Sequence, residues 1–189
     1  MKKLFAITGV CIFLTVAPAV VPSWAQSRKD PLTDQQIEEV REAGDQPPQR
    51  IKLFIGYVED RTKAIHSLDT DVHAQNREVR THNLFDEFTR LSDDLEDNMD
   101  NFDEEHADLR KELKEIVDKS TEWTTILNEP KPSAQYDFMR KTALDANESV
   151  HEAATQMLAD EVKYFAEKKK AEKEAEKKAE KDAKDSETR

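Results

Sequence analysis

The stretch Phe88–Trp123, FTRLSDDLEDNMDNFDEEHADLRKELKEIVDKSTEW, places a large apolar residue at every seventh position: Phe88, Leu95, Phe102, Leu109, Ile116 and Trp123. Seven residues are close to two helical turns, so these side chains share one side of a helix and form a seam. No glycine or proline interrupts them. The spacing therefore predicts one helix from about Leu84 to Leu127, on the order of 65 Å long.

Upstream, Ile51, Val58, Ile65, Val72 and Val79 repeat the same spacing, with Phe54, Ile55 and Leu68 on the same side. Gly56 weakens this second helix by roughly 1 kcal/mol relative to alanine, or serves a close helix approach. The two series are out of phase, because Val79 and Phe88 are nine residues apart. The chain accommodates this either by a stutter or by a turn near Thr81, His82 and Asn83, with Asn83 capping the next helix. The turn is the preferred reading, and Asp69-Thr70-Asp71 is a second candidate break.

Downstream, two prolines in Asn128-Glu129-Pro130-Lys131-Pro132-Ser133 mark an interhelix turn. A further series, Tyr136, Ala143, Val150, Met157 and Tyr164, follows it, with Met139, Ala146 and Ala153 between. Each helix is polar on its other faces, so the stripes must be buried against one another. The expected fold is all-α: an elongated antiparallel bundle over residues 49–166 of three long amphipathic helices, or four if the segment before Phe88 divides. A second copy of the chain could also complete the seam.

Residues 26–48 read as a short capped helix and a Pro-rich corner. Thr33 and Gln36 have the spacing of a capping box, Leu32 and Ile37 that of a hydrophobic staple, and Gly44 precedes Asp45-Gln46-Pro47-Pro48. Residues 167–189 are rich in Lys, Glu and Ala and carry no apolar stripe, which predicts a solvated helical extension or a fraying tail.

The first 25 residues have the layout of a secretory signal: Lys2 and Lys3, an apolar run from Leu4 to about Val21, then Ser23-Trp24-Ala25. Cleavage after Ala25 would remove Cys11, the single cysteine. The mature chain would then lack disulfides and thiolate metal sites. Export to a bacterial periplasm or the extracellular space is expected, with no stable membrane span after signal removal.

Without Lys2 and Lys3, 41 acidic residues stand against 27 basic ones, a net charge of −14. The acidic residues are densest between Asp86 and Asp108, where Arg90 is the single basic side chain. Such a surface repels nucleic-acid phosphates and anionic lipid and attracts cations or cationic partners. Asp93, Asp94, Asp97, Asp100, Glu104 and Asp108 are the candidate cation-attracting surface, with divalent ions as its ligands.

No catalytic constellation accompanies these features, and no cofactor is expected. Glu148 and His151 have the Glu-x-x-His spacing of di-metal bundles, and Asp103 with His106 is an imperfect second pair. With Val150 and Phe102 facing inward, however, Glu148 and Asp103 turn outward. None of Ser67, Ser92, Ser120, Ser133 or Ser149 lies in a strand-to-helix elbow. The aromatic residues mostly follow the stripes and read as core, while Tyr57 and Phe138 lie beside them and are candidates for a second packing face or a partner contact.

Leu32-Thr33-Asp34-Gln35-Gln36 resembles the LTxxQ segment of the small helical periplasmic stress chaperones of the Spy and CpxP type. The resemblance covers five residues, without a second LTxxQ. It implies an exported helical chain that binds unfolded envelope proteins, whereas the residues themselves point first to a non-enzymatic scaffold or protein-interaction module. A protein partner or self-association is expected in either case.

Overall fold

The structure, a computed structural model, describes residues 30–104 and 106–187. The expected signal over residues 1–25, Cys11 included, lies outside them. Among the described residues the chain forms five helices and no strands: α1 (Asp34–Ala43), α2 (Pro47–Thr70), α3 (Arg77–Glu104), α4 (Arg110–Leu127) and α5 (Asp137–Glu187). None of these helices is long and apolar enough to cross a membrane.

Four of the helices form the bundle. α2 packs on α3 and α4, and α5 packs on the same two, so α3 and α4 face each other across the centre. Their directions follow from the pairs that join them. Arg50 meets Asn98 and Arg61 meets Glu87, each in opposite order along the chain, so α2 and α3 are antiparallel. Lys52 meets Glu112 and Glu59 meets Lys119 in the same order, so α2 and α4 are parallel. The architecture is two helical hairpins, α2–α3 and α4–α5, packed side by side.

The core runs along the predicted stripes. Phe85, Phe88, Leu91, Leu95 and Met99 of α3 are fully buried, as are Leu113, Ile116, Trp123 and Leu127 of α4. Phe88 and Trp123 meet edge to face at the centre, with ring centroids 6.2 Å apart. α1 lies outside the four, held on α2 where the Tyr57 hydroxyl donates to Glu39 at 2.8 Å.

Two connections differ from the expected ones. The helix predicted over 84–127 is two helices, one ending at Glu104 and the other starting at Arg110, with the chain turning back through residues 106–109. The amide of Ala107 donates to Phe102 O at 3.1 Å and that of His106 to Asp103 O at 2.9 Å, while His106 takes a φ of +55°. This is a Schellman turn with histidine in the left-handed position usually given to glycine. Since Phe102 and Leu109 keep their seven-residue spacing on either side of it, the seam continues although the helix does not.

The turn expected at Thr81–Asn83 instead occupies residues 71–76, at the second candidate break. The Asp71 carboxylate accepts the His73 amide at 2.9 Å, and Asn76 adopts a φ of +50°. Asn83 is therefore inside α3 and caps nothing. Val72 and Val79, predicted as stripe residues, are 82% and 56% exposed, because the helix that would have buried them ends at Thr70.

Gly56 has no heavy atom within 4 Å of where a Cβ would stand, so it serves no close helix approach. Gly56→Ala should raise stability by about 1 kcal/mol through helix propensity alone. Urea unfolding followed by circular dichroism measures this; an unchanged or lowered midpoint would refute it.

Candidate functional site

The residues singled out in the sequence are distributed over several local structures. The Thr33 Oγ1 accepts the Gln36 amide at 3.2 Å, and the Gln36 Oε1 accepts the Thr33 amide at 2.9 Å, closing a capping box at the start of α1. Leu32 packs against the core. The polar groups that carry the LTxxQ resemblance are thus engaged in starting a helix, each satisfying a backbone donor.

The acidic residues divide. Asp93, Asp97 and Asp100 project from one exposed face of α3, with Asp94 half-buried beside them. Burial, reinforced by Asp97, raises the Asp93 carboxyl above its ordinary value; burial followed by Asp97, Asp30 and Asp93 does the same for Asp94. Asp108 belongs to the turn, not to this face. Arg110 binds both its oxygens at 2.8 and 2.7 Å and holds it below the usual carboxylate range. The Glu104 side chain lies outside the described set. Among the described residues no group of three or more His, Cys, Asp or Glu side chains is arranged to hold a metal ion.

A raised carboxyl penalises the folded state once it ionises. The stability it allows is complete below the unfolded value and is lost as pH rises through the folded one. Asp94→Asn should accordingly raise the thermal midpoint at pH 7, and the gain should shrink as pH falls toward 3.8, the ordinary Asp value. Melting curves at several pH values test this, and a gain independent of pH would contradict it.

The two Glu-His spacings do not converge. Glu148 is exposed, and His151 turns instead to α4, where its Nδ1 lies 2.7 Å from Ser120 Oγ. His106 stacks on Tyr164, with ring centroids 5.0 Å apart.

The sequence reading missed the polar layer between α4 and α5. Asn147, buried, donates to Ser120 O at 2.9 Å and Thr124 Oγ1 at 2.7 Å. Ser120 Oγ bonds Val117 O at 3.0 Å, so its one proton is engaged and His151 Nδ1–H is the donor between them. An open groove of about 580 Å³ runs past these residues, lined also by Thr121, Thr125 and Glu148. Ser120 itself is 1% exposed and its hydroxyl is committed to its own helix. The arrangement therefore fixes the register of two helices and presents no activated nucleophile. The signal was available: Ser120 interrupts the apolar series Leu113, Ile116, Trp123, and Asn147 interrupts Ala143, Val150, Ala154.

Among the described residues, Val72, Val79 and Phe138 are exposed at the hairpin end, while Val162 and Tyr164 are exposed on α5 near the α3–α4 corner. Val72 and Val79 border the α2–α3 turn, and Phe138, 79% exposed, begins α5 beyond the α4–α5 turn. Both turns lie at the same end, joined by a 2.8 Å hydrogen bond from Ser133 Oγ to Glu78. No known protein family, curated protein or solved structure matches this chain.

Proposed function

We propose that this chain is an exported, non-enzymatic protein-interaction module of the bacterial envelope, contacting its partner through the hairpin end of the bundle. The observation that carries this reading is Phe138, a large aromatic side chain left 79% exposed beside a turn. A bundle able to bury Phe85 and Phe88 completely leaves this one in water at a cost of about 1.5–3 kcal/mol of unrealised burial. Aromatic residues placed this way anchor interfaces. Ser120 and His151 are engaged with each other between α4 and α5, and Ser149 with Glu96 between α5 and α3. Export follows from the N-terminal layout of two lysines, an apolar run and Ser23-Trp24-Ala25.

Photo-crosslinkers placed at residues 72 and 138 in the native envelope should trap the same partner, and Phe138→Asp should abolish capture at residue 72 without altering helicity. A crosslinker at Thr155, on the exposed side of α5, is the control. Capture that is equal at all three positions, or unchanged by Phe138→Asp, would defeat the assignment. Stoichiometric suppression of aggregation across unrelated unfolded clients would redirect it to the chaperone reading.

A further inference from the structure

Asn147 is 2% exposed, and its amide is only half satisfied. Its Nδ2 donates to Ser120 O and Thr124 Oγ1, while its Oδ1 is buried without a hydrogen-bond partner. Buried acceptors are rarely left this way. Asn147 stands on the floor of the groove between α4 and α5, whose volume of about 580 Å³ lies within the range of small-ligand pockets, roughly 300–1,000 Å³.

The donors around this groove are turned into its own walls. Ser120 Oγ donates to Val117 O, Thr124 Oγ1 to Ser120 O and Thr125 Oγ1 to Thr121 O. Asn128 gives its Nδ2 to Thr124 O, and His151 gives its Nδ1–H to Ser120 Oγ. What is left for a ligand is therefore mainly acceptors. His151 in that tautomer has a lone pair on Nε2, Asn128 keeps its Oδ1, and Glu148, exposed, contributes a carboxylate. The Thr121 hydroxyl can accept as readily as donate. Among the described residues no lysine or arginine lines the groove.

Helical spacing gathers these groups on two facing surfaces. Leu144, Glu148 and His151 follow one another by four and three residues on α5, as do Thr121, Thr125 and Asn128 along α4 and its C-cap. The groove reaches the C-terminal turn of α4, whose last carbonyls carry partial negative charge. Leu144 and the threonine methyl groups place an apolar strip among the acceptors.

We propose that this groove binds a small organic cation bearing N–H donors, an alkylammonium or alkylguanidinium. Its charged head sits between the Glu148 carboxylate and His151 Nε2, and its carbon chain lies along Leu144. Such a ligand brings both things the walls lack, positive charge and donors, whereas an anion brings neither. Asn147 Oδ1, which no donor neutralises, adds the negative end of its dipole from the floor. Phe138 lies nine residues before Asn147, about 180° around α5, so the groove stands or falls separately from the interaction reading above.

Titration calorimetry of the mature chain with agmatine and with putrescine, at physiological salt where charges beyond about 8 Å are screened, should show one saturable site. The tighter of the two probes identifies the head group as guanidinium or ammonium. Tetramethylammonium, a cation without N–H donors, should bind at least about tenfold more weakly, because it cannot make charge-assisted hydrogen bonds. Glu148→Gln should weaken the amine by about tenfold, and so should His151→Asn, which keeps an N–H near the place of Nδ1 but removes Nε2. Circular dichroism melting reports whether each variant stays folded. Asp100→Asn, which removes an equal charge from the exposed face of α3, and Phe138→Ala should both leave binding unchanged. No saturable binding of either amine, equal binding of tetramethylammonium, or indifference of a folded variant to either groove substitution overturns the proposal.

Discussion

Trp123→Ala should lower the unfolding free energy by about 3–5 kcal/mol, a large fraction of what a single domain possesses. Trp123 is 1% exposed and meets Phe88, itself fully buried, at the centre of the bundle. These two rings join α3 and α4, the helices that face each other across the core. Truncation removes apolar contact and leaves a cavity that four packed helices cannot close without shifting together. Phe88→Ala should cost a similar amount. Because each ring is the other's neighbour, the double variant should lose less than the two single losses added, with a coupling of about 0.5–1.5 kcal/mol. Guanidinium unfolding followed by circular dichroism measures all three variants. A Trp123→Ala cost below about 1 kcal/mol would mean that this ring does not occupy the core.

The second large effect is expected at the α3–α4 corner, where the two substitutions of one residue should differ in sign. Glu161 of α5 is 7% exposed, and its Oε2 accepts the Leu109 amide at 3.0 Å. It thereby satisfies a backbone donor at the start of α4 for which Leu109 offers no side-chain cap. Glu161→Ala leaves that buried amide without an acceptor and should cost about 1–3 kcal/mol. Glu161→Gln keeps an acceptor oxygen while removing a buried charge.

Burial is the largest influence on the Glu161 carboxyl and raises it above 4.5, against the lowering effect of the Leu109 amide. Stability from a raised carboxyl is present below its unfolded value and lost as pH rises through its folded one. Glu161→Gln should therefore match or exceed the parent at pH 7, and the parent should recover relative to it on acidification toward pH 4.5. If Ala and Gln destabilise equally at pH 7, the amide is not what the carboxylate holds.

The same corner explains what could and could not be read from the chain. A seven-residue apolar spacing records which side of a helix faces the core, and Phe102, Leu109 and Ile116 do face it. It does not record whether the backbone between two of them is straight. The chain turns between Phe102 and Leu109 without glycine or proline, using a histidine at positive φ. What holds that turn comes from more than 50 residues later: Tyr164 stacked on His106, Glu161 on the Leu109 amide, and Phe165 under the Arg110 guanidinium at 4.4 Å. No local pattern announces these contacts, because they exist only once α5 has packed against α4.

The hairpin end repeats the lesson. Val72 and Val79 continue the spacing of Ile51, Val58 and Ile65, yet the Asp71 carboxylate and Asn76 turn the chain before they can be buried. By itself the sequence determined the all-α class, the capping box at Thr33 and Gln36, the proline turn after Leu127 and the identity of most core side chains. Each of these follows from hydrogen bonds or periodicity within a few residues. The tertiary structure alone decided the number of bundle helices, the polar register of Ser120 with Asn147, and which apolar side chains stay in water. Those depend on which distant helix arrives to satisfy a donor or cover a face.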